Sequence, residues 1–239
     1  MTPDQLTFRN PLTTASVDAC LAALATDWPQ ELAARVFDVG CGNGEVLARL
    51  RELRHAQSAA DCIVLGIDPD GEALARAALR HAALPIQDAE EARWEARDWE
   101  PNLTLAGPWH AAFCLGSRHA FGSTADARDL MFQELKQRVE PGGRLLIADG
   151  YWRVPPDPEY LEASGMQAEE LTELHAWHAH FAAHGLRLLH EECSSPDEFE
   201  TFERVFWAQG GKHWEAWSQA FLRWGKDTMG FAAWVLAVD

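Results

Sequence analysis

The chain has 239 residues, of which 47% are hydrophobic, and its formal net charge at pH 7 is −17. This length and composition allow one α/β domain with a sizeable core. A nucleic-acid-binding protein needs a basic surface that displaces counterions from phosphates, so the negative charge argues against nucleic acid and favours a small-molecule partner.

No apolar run approaches the roughly 20 residues that span a membrane, and residues 1–10 lack a signal-peptide pattern. The cysteines are odd in number and form no Cys-x-x-Cys pair: Cys20, Cys41, Cys62, Cys114 and Cys193. Such scattered cysteines are typical of reduced thiols. We therefore expect a cytoplasmic protein without a membrane partner.

Residues 1–30 precede the first predicted strand. Thr13, Thr14 or Ser16 can cap a helix that runs to about Asp27. Apolar positions fall on one face of this helix: Val17, Cys20, Leu21 and Leu24. A helix of this kind either covers a ligand site or packs on the sheet, and the pattern is compatible with both.

A short apolar strand, Val36–Val39, leads into a glycine-rich turn. The sequence from Asp38 to Gly44 reads Asp-x-Gly-x-Gly-x-Gly, and a helix former, Glu45, follows. Glycines let the backbone turn sharply and lie against a ligand. The dinucleotide fingerprint G-x-G-x-x-G would need its third glycine at position 45, and the pattern is not a Walker loop either.

This motif after a strand resembles the first motif of class I S-adenosylmethionine (SAM) methyltransferases. The resemblance implies an α/β fold with a Rossmann-like, doubly wound, seven-stranded sheet, an antiparallel last strand and a helical cap. It also implies that the turn approaches the methionine part of SAM and that Asp38 lies near its amino group. The predicted cofactor-binding residues of the turn are Asp38, Gly40, Cys41, Gly42 and Gly44.

The second predicted strand, Cys62–Asp68, is a continuous apolar run, typical of a parallel strand buried on both faces. An acidic residue about 20 residues after a glycine turn accepts hydrogen bonds from ribose hydroxyls in dinucleotide-binding folds. Asp68 fits this role, and the resemblance implies it for the SAM ribose. The alternative is a helix cap, for which Asp70 is better placed. Pro69 is predicted to lie beside the cofactor.

The third predicted strand, Arg93–Trp99, is less apolar and is expected near the sheet edge. The resemblance implies that Asp98 accepts a hydrogen bond from the adenine amino group of SAM. Trp99 could lie against the adenine ring. An ordinary turn aspartate is an equal alternative for Asp98.

The fourth predicted strand, Ala111–Gly116, leads into a loop at the sheet edge where ligands bind in such folds. We predict that Leu115 contacts the cofactor and that Ser117 and His119 contact the substrate. Imidazole titrates near pH ~6.5 and can accept a proton from a hydroxyl, amine or thiol. His119 is therefore a candidate catalytic base, with a purely local hydrogen-bonding role as the alternative.

A predicted helix, 124–139, and Pro141-Gly142-Gly143 precede the fifth strand, 144–150, an order that resembles the methyltransferase core. The strand ends in Asp149-Gly150-Tyr151-Trp152. Together with Asn-Pro-Leu at 10–12 and Gly-Ser-x-His-Ala-Phe-Gly at 116–122, this resembles a group of uncharacterised bacterial class I methyltransferases. Members of that group carry Glu-Pro-[Tyr/Phe]-Trp at the last site. Asp149 and Tyr151 join His119 as catalytic candidates, and Trp152 is predicted to bind substrate.

The rest of the chain is predicted to form a helix over 168–184, a strand over 186–193, helices over 196–224 and a last antiparallel strand over 231–238. His180 and His184 lie one helical turn apart, but no H-E-x-x-H accompanies them, so no metal is predicted. The aromatic residues of 196–224 are predicted to pack mainly in the core. An aromatic cap would also suit an apolar or cationic acceptor.

These patterns predict one domain over residues 1–239: a cap helix in 1–30, a SAM-binding core in 31–150, and substrate-side helices with the last two strands in 151–239. The predicted activity is methyl transfer from SAM to a small molecule. The chain lacks the Asn/Asp-Pro-Pro-Tyr and Pro-Cys motifs of nucleic-acid methyltransferases, so a macromolecular substrate is disfavoured. The alternatives are a non-catalytic SAM-binding sensor and a nicotinamide oxidoreductase, against which Glu45 argues.

Overall fold

A computed structural model describes residues 7–86, 92–101, 103–122, 126–207 and 212–239. Its central feature is a seven-stranded sheet of order β3-β2-β1-β4-β5-β7-β6. The strands are β1 Arg35–Val39, β2 Ile63–Asp68, β3 Ala92–Ala96, β4 Trp109–Leu115, β5 Val139–Trp152, β6 Leu186–Cys193 and β7 Met229–Val238.

Helices lie on both faces of this sheet. They are α1 Thr14–Ala25, α2 Glu45–Ala56, α3 Gly71–Ala82, α4 Ala127–Lys136, α5 Pro158–Ser164, α6 Leu174–Ala183, α7 Pro196–Trp207, α8 Lys212–Ala220 and α9 Lys226–Thr228. Short 3₁₀ turns occupy Arg118–Phe121 and Ala168–Glu170. None of the helices in these ranges has both the length and the apolar composition that crossing a membrane requires.

The strand directions confirm the predicted topology. Strands β1 to β5 pair in parallel, whereas β7 runs antiparallel between β5 and β6. Every residue of β7 is buried, as expected for an inner strand covered on both faces. The sheet is therefore the doubly wound, mixed sheet of the class I methyltransferase fold.

Side chains of alternating direction divide the core between the two faces of the sheet. Val36 and Phe113 lie in the cluster that includes α1 and α2, while Phe37 lies in the cluster with Phe132 and Trp177 of α4 and α6. This division follows from the period of two along a strand. The side chains named from both clusters are fully buried.

Helix α1 begins as predicted and packs on the sheet. Thr13 is its N-cap, and its hydroxyl accepts a hydrogen bond from the Ser16 amide at 3.1 Å. Asp18 binds Arg49 of α2 through both carboxylate oxygens, at 2.7 and 2.6 Å. Of the two alternatives left open by the sequence, α1 takes the packing role, and the segment before it approaches the glycine turn.

Three predicted boundaries are wrong for identifiable reasons. Strand β3 ends at Ala96, so Asp98 and Trp99 lie in the following loop. Residues 141–143 lie inside β5, which already begins at Val139. The helix predicted over 168–184 is interrupted, because Trp152 donates its amide to the Thr172 carbonyl at 2.9 Å and thereby holds that segment extended beside β5.

The aromatic positions of 196–224 mainly serve the core, as predicted. Phe199 and Phe221 are buried, with ring centroids 4.9 Å apart. Phe202, Trp217 and Trp224 are partly buried against the same cluster. The side chains of Trp207 and Trp214, which belong to the same predicted stripe, lie outside the described part of the chain.

A carboxyl group lies beneath this aromatic layer. Glu203 of α7 is only 4% exposed, and burial raises its pKa to about 8. In the unfolded chain a glutamate ionises near pH ~4.3. Between these two values the unfolded state loses a proton that the folded state keeps, so the free energy of unfolding falls as the pH rises towards 8.

We expect Glu203→Gln to remove this fall in the free energy of unfolding at high pH. At pH 8 the variant should melt several degrees higher than the wild type, because glutamine has no proton to lose on unfolding. At pH 5.5 the two proteins should differ much less. Thermal unfolding followed by circular dichroism at both pH values checks this, with the exposed Glu162→Gln as control. A wild-type advantage at pH 8 would contradict the expectation.

Candidate functional site

The glycine turn joins β1 to α2 and is held against the neighbouring strands. The amide of Gly40 donates to the Ile67 carbonyl of β2 at 2.8 Å. Ser117, after β4, donates its hydroxyl to the Gly40 carbonyl at 3.3 Å. Gly40 has φ +73°, and a Cβ placed there would stand 2.1 Å from the Ser117 Oγ. Only glycine permits this close approach.

A cavity of about 520 Å³ opens at this turn, at the carboxyl edge of the sheet. Its size suits a cofactor or another small molecule. Most of the residues predicted to bind cofactor or substrate line it: Asp38, Gly40, Cys41, Gly42, Asp68, Pro69, Asp98, Trp99, Leu115, Ser117 and His119. The structure thus brings together residues from the ends of four strands.

Asp38 is the most unusual group in this cavity. Its side chain is 3% exposed, and its Oδ1 has no hydrogen-bond partner among the described residues. Burial, together with the negative charge of Asp68, raises the pKa of Asp38 to about 8. A buried carboxylate without a partner is costly, so the site is poised for a ligand that carries a positive charge or hydrogen-bond donors.

Asp68 holds the glycine turn to the loop that follows β2. Its Oδ2 accepts from the Gly42 amide at 2.8 Å, and its Oδ1 accepts from the Asp70 amide at 2.9 Å. Each carboxylate oxygen can accept a further hydrogen bond. Asp70 accepts from the amides of Glu72 and Ala73 and is the cap of α3, so the capping role falls to Asp70 rather than Asp68.

Asp98 and Trp99, which follow β3, also line the cavity. Asp98 is exposed, whereas Trp99 is buried. The Trp99 ring is parallel to Phe37, with centroids 6.1 Å apart. Its indole nitrogen has no partner among the described residues. This part of the lining can therefore offer a carboxylate and the edge of an aromatic ring to a planar group.

The loop after β4 forms the third side of the cavity. His119 lies in the 3₁₀ turn Arg118–Phe121 and is exposed. Within the described part of the chain, nothing hydrogen-bonds to its imidazole, which leaves both ring nitrogens available. Cys41, on the glycine turn, is buried instead, and burial raises the pKa of its thiol well above the ordinary value. Cys41 is therefore a neutral lining residue.

Four predicted site residues lie away from this cavity. Gly44 is the N-cap of α2, where a Cβ would stand 2.8 Å from Trp94 and from Ala77, so its conformation serves packing. The carboxylate of Asp149 accepts from Arg118 Nε at 2.6 Å. The other two residues of this group, Tyr151 and Trp152, lie at the end of β5 and are buried.

The reason lies in the neighbours of the β5 end. Tyr151 packs over Gly230 of β7, where a Cβ would stand 2.3 Å from its ring. The Trp152 indole donates to the Ala168 carbonyl at 2.8 Å. Arg118, which binds Asp149, also donates to the Glu170 carbonyl at 2.9 Å. These contacts tie the end of β5 to the segment after it rather than to the cavity.

The N-terminal segment contributes cavity residues that the sequence analysis missed. Phe8, Arg9 and Asn10 all line the cavity. The Arg9 side chain passes 4.0 Å from the position of a Gly42 Cβ and lies 3.5 Å from the Asp70 carboxylate. Only the Asn-Pro-Leu turn at 10–12 marked this segment in the sequence, and it gave no indication of what the turn would face.

The two histidines of α6 do lie on one face. The Asp129 Oδ1 is 3.2 Å from His180 Nδ1 and 3.0 Å from His184 Nε2. However, Arg128 Nη1 lies 3.1 Å from the other ring nitrogen of His180. Over the described residues, no group of three or more His, Cys, Asp and Glu side chains could hold a metal ion. The cluster is thus a network of hydrogen bonds and ion pairs.

The family comparison agrees with the fold. The family profile of the methyltransferase domain matches residues 37–145, from β1 into β5. This range includes the glycine turn, Asp68, Asp98 and the loop after β4. Over these residues the chain is therefore similar to methyltransferase domains, and its fold is that of the class I SAM-dependent methyltransferases.

Individual proteins resemble it over different lengths. The uncharacterized protein YjhP of Escherichia coli (strain K12) is 28% identical over 135 residues, which are 56% of this chain and 49% of YjhP. The chain thus matches about half the length of this curated relative. In the X-ray structure of YjhP, the likeness extends over 97% of this chain and 95% of that one, with 19% identity and a TM-score of 0.80.

Two further structures share the fold. A SAM-dependent methyltransferase from Thiobacillus denitrificans, in complex with S-adenosyl-L-homocysteine, is 21% identical over 98% of this chain and 94% of its own, with a TM-score of 0.78. Geranyl diphosphate C-methyltransferase from Streptomyces coelicolor A3(2) is 13% identical over 95% and 77%, with a TM-score of 0.63. That enzyme was solved with Mg²⁺, geranyl diphosphate and S-adenosyl-L-homocysteine.

Proposed function

We propose that this protein binds SAM in the cavity at the glycine turn and transfers its methyl group to a small-molecule acceptor. The observation that carries the proposal is the buried Asp38 carboxyl group, whose Oδ1 has no hydrogen-bond partner among the described residues. SAM carries a sulfonium and an ammonium group, and either charge would compensate the negative charge of an ionised Asp38.

The residues of the cavity suit the other parts of SAM. Asp38 would hold the ammonium group, and Asp68 would accept from the ribose hydroxyls. Asp98 and Trp99 would bind the adenine amino group and ring. The S-adenosyl-L-homocysteine complex of the Thiobacillus denitrificans methyltransferase supports this assignment, since that protein shares the fold.

When bound, SAM supplies a methyl group whose sulfonium sulfur is a good leaving group. The work left to the protein is alignment of donor and acceptor and exclusion of water. Gly40 and Ser117 fix the turn that the donor would lie on. His119, exposed at the cavity and without a side-chain partner among the described residues, would remove the proton of an acceptor that arrives protonated. We assign no substrate contact to Asp149, Tyr151 or Trp152, because none of them lines the cavity.

The cofactor assignment is tested by titration of S-adenosyl-L-homocysteine into Asp68→Asn. Loss of a charge-assisted hydrogen bond should weaken binding roughly 10- to 100-fold. Glu72→Gln removes the same charge from the start of α3, outside the cavity lining, and should bind like the wild type. Isothermal titration calorimetry gives both affinities. Equal affinity of Asp68→Asn and the wild type would refute the role of Asp68.

A further inference from the structure

The amino-acid end of SAM carries a carboxylate as well as an ammonium group. Both groups are bonded to the same carbon atom, so the carboxylate must lie beside the ammonium that Asp38 would hold. Two further aspartates line the same cavity, Asp68 and Asp98. The field of these acidic side chains opposes a second anion unless a cation stands next to it. The carboxylate of SAM therefore needs a positive partner near the glycine turn.

The backbone of the glycine turn supplies little of what a carboxylate needs. Five of the six amides over residues 40–45 already donate to acceptors of the chain itself, at 2.8 to 3.3 Å: Gly40, Cys41, Gly42, Gly44 and Glu45. An anion-binding loop instead presents several successive free amides to its ligand. In this turn only the amide of Asn43 remains, so the anion must find its partner among the side chains.

Arg9 is the cationic side chain that lies at the glycine turn. It lines the cavity, and its Cδ is 4.0 Å from the position of a Gly42 Cβ. The other arginine of the described lining is Arg97, which forms an ion pair with Glu95 and follows β3, on the side proposed for adenine. Arg9 is therefore the arginine nearest to the place proposed for the amino-acid end of SAM.

The present contact of Arg9 leaves its guanidinium available. Its Nη1 lies 3.5 Å from Asp70 Oδ2, which is longer than a normal hydrogen bond. A guanidinium has five N–H donors, and half of this side chain is exposed. Asp70 would keep other partners, because Arg76 lies 4.0 Å from its Oδ2 and its Oδ1 accepts from the amides of Glu72 and Ala73. Arg9 can thus turn to a ligand at little cost to Asp70.

The backbone that carries Arg9 is anchored on both sides of it. Phe8 and Asn10 are only 5% and 8% exposed. The Asn43 side-chain amide donates to the Thr7 carbonyl at 3.4 Å, which ties the segment to the glycine turn. Since the backbone is already in place, only the Arg9 side chain has to be ordered when a ligand binds, and the entropic cost of binding is small.

We propose that Arg9 binds the carboxylate of SAM and makes the cavity selective for a cofactor that carries this group. The inference rests on the proposed binding of SAM. Asp38 and Arg9 would each pair with one of the two opposite charges of the amino-acid end. Adenosyl compounds that keep the ammonium but lack the carboxylate, such as decarboxylated SAM, would leave Arg9 without its partner and the acidic side chains uncompensated, and they bind weakly.

Two ligands that differ only in this carboxylate test the proposal: S-adenosyl-L-homocysteine and S-adenosyl-3-thiopropylamine. Each is titrated by calorimetry at pH 7.5 into the wild type and into Arg9→Gln. We expect the wild type to bind the amine about tenfold more weakly than S-adenosyl-L-homocysteine. Arg9→Gln should bind S-adenosyl-L-homocysteine about tenfold more weakly than the wild type does, with its affinity for the amine unchanged.

Two control variants separate direct binding from a structural role. Arg76→Gln removes the same charge beside Asp70, outside the cavity lining, and should bind both ligands like the wild type. Asp70→Asn removes the ion pair that Arg9 makes now and should not weaken S-adenosyl-L-homocysteine. If Asp70→Asn weakened this ligand as Arg9→Gln does, Arg9 would act only by anchoring the segment.

Three results would overturn the proposal: equal affinity of the wild type for the two ligands, an unchanged affinity of Arg9→Gln for S-adenosyl-L-homocysteine, or an equal loss of affinity for both ligands in Arg9→Gln. In each of them the wild type still binds S-adenosyl-L-homocysteine, so the proposed function stands. Failure of the wild type to bind this ligand would instead refute the proposed function, and the role of Arg9 with it.

Discussion

Asp38→Asn is expected to weaken SAM binding by about 100-fold and, at the same time, to stabilise the protein without SAM at pH 8. The first effect follows because the substitution removes the buried carboxylate that would pair with the cationic ligand. The second follows because the folded state raises the pKa of Asp38 to about 8. Ionisation of the unfolded chain between pH ~4 and 8 therefore favours unfolding, and asparagine cannot ionise.

SAM affinity should change with pH in the opposite direction to the stability of the protein without SAM. A cation binds the ionised form of Asp38, so SAM affinity should rise with pH towards 8, and binding should release up to one proton at pH 6.5. Calorimetry in buffers of different ionisation enthalpy counts this proton. Asp38→Asn should release none.

Glu203→Gln is the matched control for Asp38→Asn. Glu203 is also buried, and burial also raises its pKa to about 8, but it does not line the cavity at the glycine turn. This variant should show the gain in stability at pH 8 without any loss of SAM affinity. If Asp38→Asn bound SAM as tightly as the wild type, the assignment of Asp38 to the cofactor would be wrong.

Gly40→Ala is expected to destabilise the protein by about 3 kcal/mol or more and to impair SAM binding. A positive φ costs a residue with a Cβ about 1–2 kcal/mol. At Gly40 the added Cβ would also stand 2.1 Å from Oγ and 2.3 Å from Cβ of Ser117. Rotation of the Ser117 side chain relieves only the first of these contacts, so the backbone of the turn or of the β4 loop must move.

Gly165→Ala separates the cost of the positive φ from the cost of the clash with Ser117. Gly165 has the same φ, +73°, but no heavy atom lies within 4 Å of its added Cβ. This substitution should cost only about 1–2 kcal/mol, because of the positive φ, and leave SAM binding unchanged. Removing the obstacle in the double variant Gly40→Ala/Ser117→Gly should recover part of the stability. Chemical denaturation measures all three proteins, and equal losses in Gly40→Ala and Gly165→Ala would count against the proposed clash.

The fold could be predicted because its signals are local. The apolar runs of β1, β2 and β4 and the alternating glycines at 40, 42 and 44 define strand, turn and helix within a few residues. Strand order and the antiparallel β7 came from the resemblance to class I methyltransferases. The interruption before α6 depends on pairing of Thr172 with the distant Trp152, which no local pattern reveals.

The site prediction is limited for the same reason: contacts between residues distant in the sequence leave no local pattern. Residues near the ends of strands reach the cavity because parallel strands end at one edge of a sheet. Asp149 lies near the carboxyl end of β5, but its carboxylate forms an ion pair with Arg118. Phe8 and Asn10 lie in a segment without periodicity, and their place over the glycine turn is set by tertiary packing alone. Sequence spacing therefore finds the side of the cavity that the strand ends form better than the side that the N-terminal segment forms.

The most direct test of the central claim is a calorimetric titration of the wild-type protein with SAM, and with NAD as the comparison. We predict that SAM binds at one site per chain with micromolar affinity and that NAD does not bind. Binding of NAD in preference to SAM, or absence of SAM binding to a folded sample, would contradict the proposed function.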